Sequence, residues 1–228
     1  MELKWYGHAA FRILADNGST IITDPYTPET IGYSPITDSA DLVIISSDDD
    51  DAHCRADLIA GEPEVANALD IALSGETYVS GKGVEIHAVE AAEWVNHPRG
   101  VPGQNGMYKF DVDGIRVAHM GDVGNPLTER QIAFFDDVDV LLALAGGYLT
   151  IELPDLMAMI HAAKPKLIVP MHFRTLSYKP RNTKWIESFL AGFKEEDIDF
   201  ACDHTVSIKK EEIADDTRVL VLDYYREG

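Results

Sequence analysis

The chain has 228 residues, 46% of them hydrophobic and 25% charged, which is typical of a folded globular protein and argues against disorder. Asp and Glu number 39 against 19 Lys and Arg, so the formal net charge is −20. This excess of negative charge repels phosphate groups and therefore disfavours nucleic acids and anionic membrane surfaces as partners. The two cysteines, Cys54 and Cys202, are too few for a disulfide framework and indicate reduced thiols.

The start of the chain and its apolar stretches bear on localisation. Residues 1–5 lack the basic and apolar regions of a signal peptide. The longest apolar stretch, around residues 140–151, is shorter than the roughly 20 residues of a membrane span. We therefore expect a cytoplasmic protein, with one domain over residues 1–228 and no membrane partner.

The first third of the chain is dominated by predicted strands. Short apolar or β-branched runs predict them at residues 3–6, 10–14, 20–23 and 42–45. Asp16-Asn17-Gly18 is a hairpin turn signal between the second and third strands. The uninterrupted apolar run at residues 42–45 indicates a strand buried on both faces. Helices are predicted at residues 52–60 and 64–73, the second ending at Gly75.

Strands and helices alternate in the rest of the chain. A strand is predicted at residues 84–89 and a Gly- and Pro-containing loop at residues 96–106. Residues 108–112 and 115–118 form a predicted hairpin with a type I′ turn at Asp113-Gly114. Further strands are expected at residues 138–145, 166–170, 205–208 and 218–222, and helices at residues 153–163 and 183–193. This order predicts a mixed α/β layered fold.

Three polar clusters directly follow apolar strands, at residues 46–53, 119–122 and 171–174. Loops at strand ends are exposed yet held by a rigid sheet, so such clusters are candidate sites. The four consecutive carboxylates Asp48 to Asp51 are either a solvated loop that caps the next helix or a cation site. Asp122 is either a turn residue or a ligand, and His172 is either a hydrogen-bonded structural histidine or a ligand.

Five segments are distinctive when they are taken in order: Trp5-Tyr6-Gly7-His8-Ala9-Ala10-Phe11, Thr23-Asp24-Pro25-Tyr26, residues 113–122, residues 145–150 and Val169-Pro170-Met171-His172-Phe173-Arg174-Thr175. Together they resemble the metallo-β-lactamase superfamily, and most closely the small metal-dependent hydrolases related to ascorbate-6-phosphate lactonase. The resemblance covers nearly the whole chain. It implies a four-layer αββα sandwich, with two sheets flanked by helices.

The family's main metal motif, His-x-His-x-Asp-His, is altered in this chain. Ser47, Asp49 and Ala52 stand at its histidine positions, only Asp51 keeps its identity, and His53 comes one position late. Glu93 stands near the next family histidine, with His97 close by, whereas Asp122 and His172 are retained. The resemblance therefore implies a ligand set of Asp49, Asp51, Glu93, Asp122 and His172.

This ligand set is rich in oxygen, which favours Mn²⁺, Mg²⁺ or Ca²⁺ over Zn²⁺. One ion is expected in place of two, because Ser47 and Ala52 supply little or no ligation. Since the family holds zinc, manganese or iron, the expected cofactor is a divalent metal, Mn, Zn or Mg. His8 either points toward the site, as the family pattern implies, or forms a structural hydrogen bond with Asp24. His119 either takes part in the site or packs inward.

The resemblance implies a hydrolase in which a metal-activated water attacks a small ester, lactone or phosphoester. Asp51 and His172 are the expected catalytic residues, with Asp51 orienting the water or accepting its proton. The alternative is a pseudoenzyme or binding module that keeps the fold without the metal. The expected partner is a small-molecule substrate, and a homo-oligomer remains open. An anionic substrate group would find a basic patch in Arg99, Arg174, Lys179 and Arg181, unless these are ordinary surface charges.

Overall fold

The computed structural model describes residues 1–47, 51–93 and 104–226. Within these ranges the chain forms fourteen strands and five α-helices. The strands are β1 (Glu2–Gly7), β2 (Ala10–Leu14), β3 (Thr20–Thr23), β4 (Leu42–Ile45), β5 (Glu64–Asn67), β6 (Tyr78–Val79), β7 (Glu85–Ala92), β8 (Gln104–Val112), β9 (Ile115–His119), β10 (Val140–Leu144), β11 (Leu167–Met171), β12 (Ile198–Phe200), β13 (Thr205–Ser207) and β14 (Arg218–Val221). The helices are α1 (Pro28–Ile31), α2 (Ala68–Ser74), α3 (Glu129–Ala133), α4 (Leu153–Ala163) and α5 (Ile186–Leu190).

The strands of the described ranges form two sheets. The first has the order β13-β1-β2-β3-β4-β5, and the second has the order β12-β14-β11-β10-β9-β8-β7-β6. In the first sheet, β3, β4 and β5 are parallel to one another. In the second sheet, the parallel neighbours are β9, β10, β11, β14 and β12. The carboxyl ends of the parallel strands within each sheet therefore lie at one edge, and all three polar clusters of the sequence follow such ends.

The two sheets share one hydrophobic core. All positions of β4 and β10 are buried, as expected for inner parallel strands. The main core joins Trp5 and Phe11 of the first sheet to Leu142 and Val169 of the second. Burial of apolar side chains between two sheets is the main stabilising force of such a sandwich. The mixed α/β architecture with two packed sheets confirms the predicted fold class.

The two-residue hairpin of the second sheet is confirmed. Asp113 and Gly114 both have positive φ angles, of 53° and 74°, as a type I′ turn requires. The predicted helix over residues 153–163 is also confirmed, as α4 (Leu153–Ala163). It ends because Lys164 adopts a left-handed conformation and its N–H bonds to the carbonyl of Ile160.

The helix predicted at residues 52–60 is wrong over most of its length. The structure has a 3₁₀ turn there, Ala56–Leu58, preceded by turns. The carbonyl of Asp51 accepts a hydrogen bond from the Thr27 N–H, and the Arg55 N–H donates to the carbonyl of Pro25. Because these backbone groups pair with the segment after β3, they are not available for an α-helix.

The other differences also reflect pairing with distant backbone. Residues 64–67 form β5 beside β4, and Asn67 then caps α2, which ends at Gly75 as predicted. The helix predicted at residues 183–193 shortens to α5 (Ile186–Leu190), because the N–H of Lys184 donates to the carbonyl of Gly146. Of the predicted loop at residues 96–106, residues 96–103 lie outside the described ranges and residues 104–106 begin β8. Among the described helices, none is long and apolar enough to cross a membrane.

Candidate metal centre

Three buried histidines meet at the edge where the parallel strands end. His8 lies in the turn between β1 and β2, His53 follows β4, and His172 follows β11. Each offers a ring nitrogen within 4.8 Å of the other two. The Nε2 atoms of His8 and His53 are 3.1 Å apart, and the ring centroids of His8 and His172 are 4.0 Å apart. The fold therefore gathers three imidazoles that are distant in sequence.

A carboxylate joins these imidazoles. Asp122 places Oδ2 3.6 Å from His53 Nε2 and Oδ1 3.4 Å from His172 Nε2. Its N–H donates to Asn105 Oδ1 over 2.8 Å, which holds the turn after β9. Gly121 is required in this turn, because its φ is 59° and a Cβ there would lie 2.2 Å from Asn105 Oδ1. Asn105 and Gly121 thus position the Asp122 carboxylate.

Asp24 orients His53 from behind. Its buried carboxylate accepts hydrogen bonds from His53 Nδ1 at 2.9 Å, from Ser46 N at 2.9 Å, from Ser46 Oγ at 2.7 Å and from the Tyr108 hydroxyl at 3.2 Å. Burial alone would raise the pKa of Asp24, but nearby His119 and the hydrogen bond from His53 outweigh it, so the pKa is lowered. The ionised carboxylate holds the His53 proton on Nδ1, and the Nε2 lone pair then faces His8 and Asp122.

His119 has a structural role. Its Nε2 donates to the carbonyl of Ala9 over 2.9 Å, and its Nδ1 accepts a hydrogen bond from the Gly121 N–H over 2.8 Å. Both ring nitrogens are therefore engaged within the protein. His119 packs inward, one of the two alternatives that the sequence left open.

The remaining two histidines of the cluster are uncharged at neutral pH. Burial, together with His172 and His53, holds the pKa of His8 well below its ordinary value. Burial and the neighbouring His53 lower the pKa of His172 to about 3. The Nδ1 atoms of both rings are buried and find no hydrogen-bond partner among the described residues. The Nε2 atoms of His8 and His172 lie 3.1 Å from His53 Nε2 and 3.4 Å from Asp122 Oδ1, respectively. Neutral imidazoles gathered beside a carboxylate are common metal ligands, so this donor set fits a metal ion.

The backbone is strained at the same place. His8, Asp24 and His172 have φ angles of 53°, 38° and 55°, in the left-handed region that residues other than glycine rarely occupy. Such strain costs of the order of 1–3 kcal/mol per residue and persists where the surrounding structure enforces it. Three residues of this cluster therefore hold a backbone conformation that the surrounding structure must enforce.

An aromatic layer packs beneath the histidines. The Tyr178 ring stacks on His8, with centroids 5.4 Å apart, and meets the His172 ring edge-on at 5.9 Å. Tyr33 lies beneath Gly7, where a Cβ would come within 2.5 Å of the Tyr33 ring, and its hydroxyl pairs with Thr175 at 3.0 Å. These contacts limit the rotation of the imidazoles.

The five ligands predicted from the sequence are not all brought together. Asp122 and His172 lie at the centre. The side chain of Asp51 is 65% exposed and lies 3.4 Å from Arg55 Nη1. Glu93 is half-buried directly after β7, and Asp49 lies outside the described residues, as do His97 and Arg99. The roles assigned to these residues, including the catalytic roles of Asp51 and His172, stay predictions.

The structure adds two histidines that the sequence left undecided. The histidine that forms a hydrogen bond with Asp24 is His53 and not His8. The Nε2 atom of His8 faces the ring of His53. His53, which comes one position later than the last histidine of the family motif, belongs to this cluster. Within the described ranges, three imidazoles and the Asp122 carboxylate lie close together. The oxygen-rich set predicted from the sequence stays a prediction. The sequence did contain a signal for His53. This histidine follows the buried strand β4, and Asp24 follows the neighbouring parallel strand β3.

Comparison with known proteins agrees with this architecture. The family model of the Beta-lactamase superfamily domain matches residues 2–172. A UPF0173 metal-dependent hydrolase of Pyrobaculum islandicum is 29% identical over 197 residues, which cover 77% of this chain and 85% of that protein. A UPF0173 metal-dependent hydrolase of Polaromonas sp. is 27% identical over 217 residues, which cover 75% and 77%.

A solved structure is similar over its whole length. The crystal structure from Thermotoga maritima, assigned as a Zn-dependent hydrolase of the metallo-beta-lactamase superfamily, superposes with a TM-score of 0.75 at 27% identity. The superposition covers 98% of this chain and 99% of that one. Since the family model spans well over half of the chain and the sheets match, this protein belongs to the metallo-β-lactamase superfamily.

Proposed function

We propose that the protein is a metal-dependent hydrolase of a small ester, lactone or phosphoester, with the metal held by His8, His53, His172 and Asp122. The observation that carries the proposal is the pairing of Asp24 with His53 Nδ1. A carboxylate that holds the far nitrogen of a histidine, and so directs the near nitrogen into a cluster of further donors, is typical of metal sites. The names and assignments of the relatives support the same activity.

The donor set also bears on the identity of the metal. Imidazoles suit Zn²⁺ and other transition ions, whereas Mg²⁺ and Ca²⁺ prefer oxygen ligands. Of the ions expected from the sequence, Zn²⁺ therefore suits the three histidines best, with Mn²⁺ second. When bound, such an ion polarises the substrate and lowers the pKa of a coordinated water toward neutrality.

The exposed fractions of the side chains suggest which residues hold the metal and which meet the substrate. His53 and His172 are almost completely buried, with side chains 1% and 3% exposed, while the Asp122 side chain is 15% exposed. We therefore infer that substrate and water approach from the Asp122 side. Asp122 would orient the attacking water and accept its proton, and the Asp24–His53 pair would keep the imidazoles in place.

The second candidate, a pseudoenzyme or binding module, has one observation in its favour. Ala52 has no donor atom at a position where the family has a histidine, and the Asp51 side chain is turned toward Arg55. Loss of donors at that position weakens one of the two metal positions that the family uses. A measurement of the metal content of the purified protein separates this candidate from the hydrolase.

The test is elemental analysis of protein purified without a chelating tag, followed by assays on p-nitrophenyl acetate and bis(p-nitrophenyl) phosphate after adding Zn²⁺ or Mn²⁺. We expect stoichiometric metal and metal-dependent turnover in the wild type, and loss of both in His172→Ala. His161→Ala is the matched control, because His161 is exposed on α4. Absence of metal from the wild type, with no turnover on reconstitution, would favour the pseudoenzyme.

A further inference from the structure

The donors of the candidate centre come from two different sheets. His8 lies between β1 and β2 and His53 follows β4, so both belong to the first sheet. Asp122 follows β9 and His172 follows β11, both strands of the second sheet. The positions of the donors relative to one another therefore depend on how the sheets are held together at this edge. Since hydrophobic burial is not directional, hydrogen bonds between the sheets are the contacts that can fix these positions.

Two neighbouring side chains of the second sheet reach across to the first. Tyr108 on β8 and His119 at the end of β9 are register partners, and both are 0% exposed. The Tyr108 hydroxyl donates to Asp24 Oδ1 over 3.2 Å. The Nε2 atom of His119 donates to the carbonyl of Ala9 over 2.9 Å. Because Asp24 follows β3 and Ala9 directly precedes β2, both acceptors belong to the first sheet. Tyr108 and His119 are named here the clamp pair.

His119 connects two turns that carry donors. Ala9 directly follows His8, so the hydrogen bond from Nε2 holds the turn that carries this imidazole. The other ring nitrogen, Nδ1, accepts a hydrogen bond from the Gly121 N–H over 2.8 Å, and Gly121 directly precedes Asp122. One rigid ring therefore fixes the separation between a turn of the first sheet and a turn of the second.

Tyr108 bears on a third donor and supports the ring of His119. Its hydroxyl bonds to Asp24, whose other oxygen accepts the hydrogen bond from His53 Nδ1. Burial and the charge of Asp24 hold the pKa of the Tyr108 hydroxyl well above its ordinary value, so this group stays a donor. The Tyr108 ring stacks on the His119 ring, with centroids 4.8 Å apart and planes inclined by 8°. A tilt of either ring is therefore opposed by the other.

A backbone hydrogen bond between the sheets lies at the same edge. The His172 N–H donates to the carbonyl of His8 over 3.0 Å. This bond joins two of the candidate ligands, and its acceptor is one residue from the Ala9 carbonyl that His119 binds. If the clamp pair holds the sheets together here, the His172 amide should exchange its hydrogen more rapidly when the clamp is broken.

We propose that Tyr108 and His119 are positioning residues, which set the metal affinity of the candidate centre by fixing its His8 side relative to its Asp122 side. The proposal rests on the proposed function for the metal, whereas the connection between the sheets is independent of it. Donors that move by more than about 0.5 Å from the required geometry bind a metal less tightly, because metal–ligand distances are confined to narrow limits.

The first experiment compares two substitutions of His119 that each keep one of its hydrogen bonds. His119→Gln places an amide N–H near Nε2 and still donates to Ala9, whereas His119→Asn places an oxygen near Nδ1 and accepts only from Gly121. We expect Zn²⁺ affinity, measured with a competing chelator, to fall about tenfold or more in His119→Asn and to stay within about threefold of wild type in His119→Gln. The bond to Gly121 matters less, because Asn105 also holds that turn. Equal affinities in the two variants would overturn the proposal.

Tyr108→Phe is the second variant, since it removes the bond to Asp24 and keeps the stacked ring. We expect its Zn²⁺ affinity to lie between those of the two His119 variants. Ile13→Ala is the control for stability, because Ile13 is buried in the core of β2 and has no polar side-chain atom. Ile13→Ala should lower the free energy of unfolding in urea and keep the metal affinity. A loss of affinity in Ile13→Ala as large as that in His119→Asn, or none in Tyr108→Phe, would contradict a positioning role.

The second experiment follows amide hydrogen exchange in the metal-free protein and so separates this proposal from the proposed function. The His172 N–H is observed by NMR under native conditions. We expect its exchange to be about tenfold faster in His119→Asn, the effect of one lost hydrogen bond, and close to the wild-type rate in His119→Gln. That pattern would support the clamp even in a protein that binds no metal, in which case the proposed function alone fails. Equal rates in all three proteins, or an equal increase in Ile13→Ala, would overturn the clamp.

Discussion

Replacement of Asp24 by Asn tests how the candidate centre is built. The carboxylate accepts hydrogen bonds at Oδ1 from Ser46 N and the Tyr108 hydroxyl, and at Oδ2 from Ser46 Oγ and His53 Nδ1. Asn has nearly the same shape but keeps only one oxygen. If that oxygen takes the Oδ1 position, an NH₂ group faces His53 Nδ1, which must then accept a hydrogen bond instead of donating one.

The consequence is a change of tautomer. With the proton moved to Nε2, His53 no longer presents a lone pair to the centre, and we expect metal affinity to fall about 10- to 100-fold, as for other residues that orient metal ligands. Loss of hydrogen bonds to a buried charged group should also lower the free energy of unfolding of the metal-free protein by about 1.5–3 kcal/mol. Affinity is measured by competition for Zn²⁺ with a chromophoric chelator, and stability by urea unfolding.

Asp139→Asn is the matched control. Asp139 is also a buried carboxylate, 3% exposed, and it accepts hydrogen bonds from Lys210 Nζ and the Arg116 N–H, but it lies at the amino end of β10, away from the centre. Asp139→Asn should lose stability and keep its metal affinity. Unchanged affinity in Asp24→Asn, or an equal loss of affinity in both variants, would refute the proposed role of Asp24.

Two further predictions concern the backbone and the pH dependence of stability. Gly121→Ala should lower the free energy of unfolding by about 1–3 kcal/mol more than Gly18→Ala, because both have positive φ but only Gly121 lacks room for a Cβ, with Asn105 Oδ1 2.2 Å away. Equal urea midpoints for the two variants would contradict this. Burial opposes ionisation of Asp139, but hydrogen bonds from Lys210 and the Arg116 backbone outweigh it, and the pKa is lowered. Its stabilising contribution is therefore complete above about pH 4 and is lost as the pH falls through the lower folded-state pKa, so Asp139→Asn should flatten the acid limb of stability measured by urea unfolding between about pH 5 and pH 2.

Some elements could be predicted because their signals are local. The turn at Asp113-Gly114 needs two positive φ angles, which this pair adopts readily, and the apolar run of β4 has no stable place except a sheet interior. The helix predicted at residues 52–60 was wrong because its conformation depends on contacts that are not local. Its composition suits a helix, but its backbone groups pair with Pro25 and Thr27, which are distant in sequence. Local propensity gives way where tertiary hydrogen bonds compete for the same donors and acceptors.

The candidate site likewise has a part that could be predicted from local sequence and a part that depends on tertiary contacts. The sequence by itself determined the fold family and the strand ends at which polar residues collect, and it put forward Asp122 and His172 as candidate ligands, whose Oδ1 and Nε2 atoms lie 3.4 Å apart. Only the tertiary structure decided that His8 and His53 join them and that the Asp51 side chain turns toward Arg55. Order along the chain shows which residues follow a strand, but the direction of each side chain depends on turns that are shaped by contacts with other strands. The motif therefore left the role of His53 open, whereas its hydrogen bond with Asp24 places its ring in the cluster.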